Sequence, residues 1–275
     1  MNESKPFFNK IEDFIYNLGF CKQLLDDRLV RPRTDEKTVL VMGITSDRGL
    51  CGSYNTDIID VVEEVKARAE NQGKKVLLDI IGTKGKNYFQ YRGQKLSHVY
   101  ENLSVWPKFM DAREISREII SRYVVGEVDR VLICYTKFVS TSHHQPTTVQ
   151  ILPIPIAERM DQADQAAYGI DEVMIDNRIC RITPDFIYEP DLVSLIRSLV
   201  PGQIFTYVYG LLLESTASEL GSRMVAMDKA RENSDELLDE LDKEYHRTRQ
   251  HQITSEIIEV ISGAEDYGQE GVRDE

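Results

Sequence analysis

Hydrophobic positions along this chain fall into two regimes. Up to about residue 155 they come in short apolar runs separated by stretches of helical period. Beyond about residue 190 they recur at three- and four-residue steps with little to interrupt them. In the first regime Phe7, Phe8, Ile11, Phe14, Ile15, Leu18, Leu24 and Leu25 predict a helix over residues 7–29. Gly19 weakens its middle, and Arg31-Pro32-Arg33 ends it, because the residue before a proline avoids helix. The run Val39 to Ile44 suits a buried strand, and Ser46-Asp47-Arg48-Gly49-Leu50-Cys51-Gly52 follows as a turn. Ile58, Ile59, Val62 and Val65 then share one face of a helix over 55–70, closed by Gly73. Val76 to Ile81 predicts a second strand. Residues 84–91 and 108–125 predict two more helices, and Val131 to Tyr135 a third strand.

Strand, helix, strand, helix, strand is the order of an α/β fold with a parallel sheet and right-handed crossovers. Thr147 to Ile154 adds a further strand, placed at a sheet edge because Pro153 and Pro155 cannot donate to a ladder. Residues 158–183 read as a polar connection. A helical pattern resumes at Glu189-Pro190, with a bend expected at Pro201-Gly202 before a long rod begins near Gln203. No proline interrupts the rod, which runs to Gly263. At ~1.5 Å per residue, about 60 helical residues make roughly 90 Å, against the usual ~10–14 residues of a globular helix. A rod of that length cannot bury its apolar stripe within a small domain of its own. It needs a partner helix or a surrounding sleeve. A heptad fits Met224, Met227, Arg231, Ser234, Leu238, Leu241, Tyr245, Thr248 and Gln252, with several polar positions in the seam. The plain alternative is an ordinary helical hairpin inside one domain.

Charge and cysteine usage narrow the function classes. The 275 residues carry a net charge of -13, which argues against nucleic acid as the main partner, since phosphate binding needs a basic face. Cys21, Cys51, Cys134 and Cys180 form no CxxC pair, so neither a thiol-redox nor a zinc motif is expected, and a reducing compartment is favoured. No apolar run reaches membrane-spanning length, and the first residues have neither signal-peptide nor transit-peptide character. The acid-rich stretch from Asp228 to Glu244, with Lys229, Arg231 and Lys243 among the acids, reads as a solvated helix face. Near the far end Arg249, Gln250, Thr254 and Glu256 cluster over two turns. Arg forks onto carboxylates, and Gln and Thr bond backbone groups, so this cluster is a candidate latch onto another subunit.

Candidate chemistry is sparse. The Ser46–Gly52 turn sits where α/β folds cradle phosphates, but it has neither the GxGxxG nor the GxxxxGK[ST] spacing. Its glycines are equally explained by a tight turn. A free-standing α/β nucleotide-binding enzyme using this turn is the alternative function. Cys51 has no histidine near it in sequence to make it a nucleophile. His143-His144 lies in a polar turn before Pro146, and His246 and His251 fall on different faces of the rod, so no metal site is signalled. No catalytic residue and no cofactor is expected.

Two segments carry a family resemblance. The first is Val41-Met-Gly-Ile-Thr-Ser-Asp-Arg-Gly-Leu-Cys-Gly-Ser-Tyr-Asn55. The second is Ala217-Ser-Glu-Leu-Gly-Ser-Arg-Met-Val-Ala-Met227, continued by Asn233, Arg249-Gln250, Ile253-Thr254, Glu256 and Ser262-Gly263-Ala264. Ile81-Gly-Thr-Lys-Gly85 and Tyr188-Glu189-Pro190 fit between them. Together they resemble the gamma subunit of F-type ATP synthases over about residues 7–264. The resemblance implies a rotor shaft that is itself non-catalytic. In that family the N- and C-terminal helices form an antiparallel coiled coil inside a ring of three alpha and three beta subunits. A central Rossmann-like α/β domain sits below with the epsilon subunit, on the membrane c-ring. The implied layout here is residues 1–33 as N-terminal shaft helix, 34–189 as central domain, 190–264 as C-terminal shaft helix and 265–275 as a disordered polar tail. Arg249, Gln250, Thr254 and Glu256 would meet the catalytic subunits, Arg223 would lie lower on the shaft, and Tyr188 and Glu189 would lie near the foot and the c-ring. The implied place is the cytoplasmic face of a bacterial inner membrane rather than an organellar one. Three features depart from the family. The several helical turns that normally precede the segment matching residues 7–29 are absent, so the first shaft helix is expected to be short. The net charge is more acidic than expected, and the polar tail extends past the usual SGA ending. A truncated relative without coupling function is the reading those departures leave open.

Overall fold

The computed structural model describes residues 27–33, 35–103, 106–141, 143–155, 172–175, 178–181 and 192–270. It divides into two compact units, Met1–Val225 and Ala226–Glu275. The predicted helix over 7–29 falls outside the described residues except for its end, where Asp27 accepts the N–H of Val30 and of Arg31 and closes a turn.

In the first unit, β1 (Thr38–Ile44), β2 (Lys75–Ile81), β3 (His98–Tyr100), β4 (Arg130–Phe138) and β5 (His144–Leu152) form one sheet in the order β3-β2-β1-β4-β5. β1 pairs in parallel with β2 and β4, and β2 with β3, while β5 runs antiparallel to β4. The sheet is therefore mixed, not wholly parallel. β5 begins at His144, ahead of the expected Thr147, because a short turn closed between Ser140 and His143 returns the chain directly alongside β4. Pro146 stands opposite Thr136 on this edge strand, where its missing N–H is tolerated.

Helices cover both faces. α1 (Tyr54–Asn71) and α2 (Thr83–Tyr91) lie on one, where Ile58, Ile59, Val62 and Phe89 meet Val39, Val41, Leu78 and Ile80. α3 (Phe109–Val125) contributes Ala112, Ile115, Ile119 and Tyr123 to the other, against Leu40, Met42, Val131 and Ile133. Asp111 accepts the Lys108 N–H at the start of α3, and Gly126, at φ 90°, ends it in the left-handed region. The last helix, α4 (Leu192–Glu270), completes the second face with Val200, Ile204, Val208, Leu211 and Leu212. At 79 residues it is unbroken through Pro201. Burial of Val200 and Ile204 on either side holds helical geometry there, so the bend expected at Pro201-Gly202 is absent and the helix expected from about residue 190 runs as one element from Leu192. At the other end α4 runs past Ala264 to Glu270, so helix replaces part of the expected disordered tail. The Ala264–Glu270 stretch has no proline to stop it.

Two elements escape the sequence pattern. β3 is three residues long, too short to show a period. Tertiary bonds hold it: Ser97 N–H donates to Leu78 O, and His98 N–H donates to the Asp79 carboxylate at 3.1 Å. Asp79 is fully buried and takes the Arg122 guanidinium at 2.8 Å. Burial pushes this carboxyl above its usual range, outweighing the pull of Arg122 and His98. The second missed element is the antiparallel pair β6 (Glu172–Ile175) and β7 (Arg178–Arg181), inside the stretch expected to be a polar connection.

Asp129 ties the start of the sheet together. Its carboxylate takes the backbone N–H groups of Lys37 and Thr38, each at 2.9 Å, and the Arg33 guanidinium at 2.8 Å. Arg33 also donates to the Tyr123 carbonyl. Burial alone would raise the Asp129 carboxyl, but these donors hold it below the ordinary value. Its stabilising contribution is therefore present above the unfolded carboxylate pKa and lost as pH falls through the lowered folded value. Asp129→Ala is expected to cost about 2–4 kcal/mol in urea unfolding at neutral pH, with the deficit closing only on acidification below about pH 3.9.

Candidate functional site: the first turn and the long helix

Gly43 lets α1 come close to β1: a Cβ there would lie 2.8 Å from the Val62 side chain. The turn that follows is bonded inward through Ser46 and Asp47. Ser46 N–H donates to Asn55 Oδ1 at 2.9 Å, and Ser46 Oγ donates to the Arg48 carbonyl at 2.6 Å. The Ser46 carbonyl accepts the Lys84 N–H at 3.0 Å. Asp47 Oδ1 accepts both the N–H and the hydroxyl of Thr83, each at 3.0 Å. Thr83 is the first residue of α2, so the positive end of that helix already faces an internal carboxylate. An anion cradle needs those N–H groups free. Cys51 is buried beside Asn55 Nδ2 at 3.1 Å, with Ser46 Oγ at 3.7 Å. Arg48 and Leu50 are exposed at the tip of the turn, where Leu50 holds φ 63°.

The sheet order reverses between β1 and β4, and the crevice past their carboxyl ends is where open α/β sheets bind ligands. Here α4 fills it. β1 makes its last pairing with β4 at Gly43–Cys134. Thr136 then turns its backbone to the helix: its N–H donates to Ser215 Oγ at 3.4 Å, and its carbonyl accepts from Ser218 Oγ at 3.0 Å. Burial pushes the Tyr54 phenol far above its usual range, while Ser215 and Thr136 act in the opposite sense. Glu219 is also buried, 3% exposed, and accepts from Arg223 at 2.6 Å. Its carboxyl is raised, mainly by burial and further by Asp47, with Arg223 and Arg48 only partly compensating. One turn on, a Cβ at Gly221 would lie 3.0 Å from His144 Cε1 and 3.2 Å from the Thr141 carbonyl, so the helix touches the β4–β5 turn there.

The predicted contact residues separate. Arg223 lies in the first unit and is bonded to Glu219 of its own helix. Arg249, Gln250, Thr254 and Glu256 lie in the second unit, all exposed, with the Thr254 hydroxyl donating back to the Gln250 carbonyl at 2.8 Å. Tyr188 and Glu189 lie outside the described residues. Every side chain from Met227 to Ile261 is exposed, including Leu238, Leu241, Tyr245, Ile253, Ile257 and Ile261. The Arg231–Asp235 ion pair and the His246–Asp242 contact along this stretch are solvent-exposed helix pairs that add little.

Sequence reasoning assigned no role to Ser215, Ser218 or Glu219. Their signal was a short polar interruption, at helical spacing, of the aliphatic face that begins at Val200. The contact at Gly221 makes a direct test. Gly221→Val should lower unfolding free energy by about 1–3 kcal/mol through overpacking against His144 and Thr141. Gly221→Ala meets the same wall with one methyl but gains about 1 kcal/mol of helix propensity, so it should stay close to wild type in chemical denaturation.

Comparison with known proteins agrees with this geometry. A family model described as ATP synthase matches residues 1–266. The ATP synthase gamma chain of Chlorobium luteolum is 36% identical over 266 residues, covering 95% of this chain and 84% of the relative. That of a Synechococcus species (strain PCC 6716) is 33% identical over 272 residues, covering 95% and 86%. Among solved structures, a chain of the Euglena gracilis mitochondrial ATP synthase OSCP/F1/c-ring structure superposes with TM-score 0.62 at 16% identity, covering all of this chain (100%) and 94% of that one. A chain of the Tetrahymena thermophila mitochondrial ATP synthase central stalk and c-ring structure gives TM-score 0.55 at 24% identity, covering 84% and 94%. The structural likeness speaks for the fold, and the sequence matches along nearly the whole length carry the relationship: the chain belongs to the ATP synthase gamma chain family.

Proposed function

We propose that this chain is the central rotor shaft of an F-type ATP synthase, a non-catalytic subunit that carries torque between a membrane c-ring and a catalytic collar of alpha and beta subunits. The observation that carries the reading is the exposure of every side chain on α4 from Met227 to Ile261. A helix of that length with leucines and isoleucines in water is stable only with a cover. The collar supplies that cover; the coiled-coil partner expected over residues 7–29 falls, apart from its end, outside the described residues. Arg249, Gln250, Thr254 and Glu256 form the contact with the catalytic subunits. Exposed, charge-assisted contacts of this kind are individually weak, so the collar releases and remakes them as the shaft turns. Tyr188 and Glu189 lie toward the foot, with the epsilon subunit and the c-ring. The assembly sits at the cytoplasmic face of a bacterial inner membrane, a placement supported by the bacterial origin of the relatives.

A free-standing nucleotide enzyme is the weaker reading. Its phosphate site would need the α2 N-terminus and the crevice beyond β1 and β4, and these are taken by Asp47 and by Ser215 and Ser218.

Co-expression with its own alpha, beta and epsilon subunits tests the proposal. The chain should co-purify with them and show no ATP hydrolysis alone. Arg249→Ala combined with Gln250→Ala should slow hydrolysis by the complex roughly tenfold, or about 1.4 kcal/mol. Failure to co-purify, or tight ATP binding by the isolated chain in calorimetry, contradicts the reading.

A further inference from the structure

The buried face of α4 changes character along its length. Val200, Ile204, Val208, Leu211 and Leu212 present an aliphatic surface to the sheet. One turn later the face stays buried but becomes polar, with Ser215, Ser218 and Glu219 at 2%, 0% and 3% exposure. Burial of three polar groups so close together is costly unless each is paired, and the two serines find their partners on the sheet and not within the helix. An aliphatic contact is non-directional. It resists separation, yet a helix can roll in it with little change in buried area. Hydrogen bonds between named atoms are directional and break on a roll of a few tens of degrees. The two serines grip the N–H and the carbonyl of one residue, Thr136, in a strand held in the sheet by β1 and β5. Gly221 against His144 and Thr141 adds a steric stop on the next turn. Glu219 lies between them, fixed by Arg223 from its own helix and sensing Asp47 and Arg48 of the first turn.

We propose that Ser215, Ser218 and Glu219 are positioning residues that index α4 against its own sheet, so that torque on the helix turns the globular unit instead of rolling the helix in its groove. The role rests on the rotor reading above and adds to it the joint where the load passes from helix to sheet.

The test uses the whole complex in sealed vesicles, measuring ATP hydrolysis and ATP-driven ion uptake in the same sample. The variants are Ser215→Ala with Ser218→Ala, and separately Glu219→Gln. The double alanine variant takes two partners from the buried Thr136 backbone, a cost offset in part by the better helix propensity of alanine; Glu219→Gln leaves those bonds in place and tests the joint without that cost. Ile204→Val, in the aliphatic part of the same face, is the control for a general loss of packing. The expected result is ion uptake per ATP that falls in the polar variants as the ion gradient builds, with hydrolysis unchanged. The ratio should stay at the wild-type level in Ile204→Val. An unchanged ratio overturns the proposal. So does a proportional fall of both activities, or a failure of the polar variants to assemble, because either outcome marks these residues as structural only. A wild-type complex that hydrolyses ATP without moving ions would instead sink the rotor reading.

Discussion

The structure depends on one helix having to satisfy two environments. Over its first half α4 is a core element: its aliphatic face closes the α3 side of the sheet and joins the same cluster as Leu40, Ile133 and Tyr123. From Met227 to Ile261 the same continuous helix has no buried side chain. A globular protein ordinarily ends a helix where burial ends, because propensity alone holds a long helix poorly in water. This chain keeps going, with neither proline nor an acid-free apolar stripe to stop or bury it. The exposed half is an apolar-periodic surface with no cover among the described residues of this chain.

The same helix accounts for the silence of the crevice. A sheet of order β3-β2-β1-β4-β5 has a switch point between β1 and β4, which in many α/β proteins holds a nucleotide. Here the backbone groups that a ligand would use at Thr136 are bonded to Ser215 and Ser218, and the start of α2 is bonded to Asp47. A ligand-binding architecture is thereby turned into a socket. The chemistry is left to other subunits, and this one supplies geometry.

Much of the fold could be read from the chain. β1, β2, β4 and the three helices over 54–125 follow from apolar runs alternating with helical periods, and each lies within a few residues of its expected place. The failures share a cause. β3 exists through the Asp79 carboxylate and the Leu78 carbonyl, and β5 begins at His144 because of how the chain turns after β4. Both depend on partners distant in sequence, which periodicity cannot register. The bend expected at Pro201-Gly202 does not occur for a related reason: a proline that would break an isolated helix is carried by buried neighbours on both sides. At the candidate site, the cluster from Arg249 to Glu256 was legible as long polar groups on an exposed helix, and its meaning came from resemblance. Ser215, Ser218 and Glu219 were illegible as a joint, because their significance lies in Thr136, some eighty residues earlier.

Direct observation of rotation addresses the central claim. With the alpha–beta collar fixed to a surface, a bead attached through Tyr91→Cys, a position 94% exposed on the globular unit, reports the motion of this chain. Addition of ATP should drive the bead in one direction, in steps that track turnover. Sustained ATP hydrolysis with the bead only fluctuating about a fixed angle would show that the chain is a static part of its complex and contradict the account.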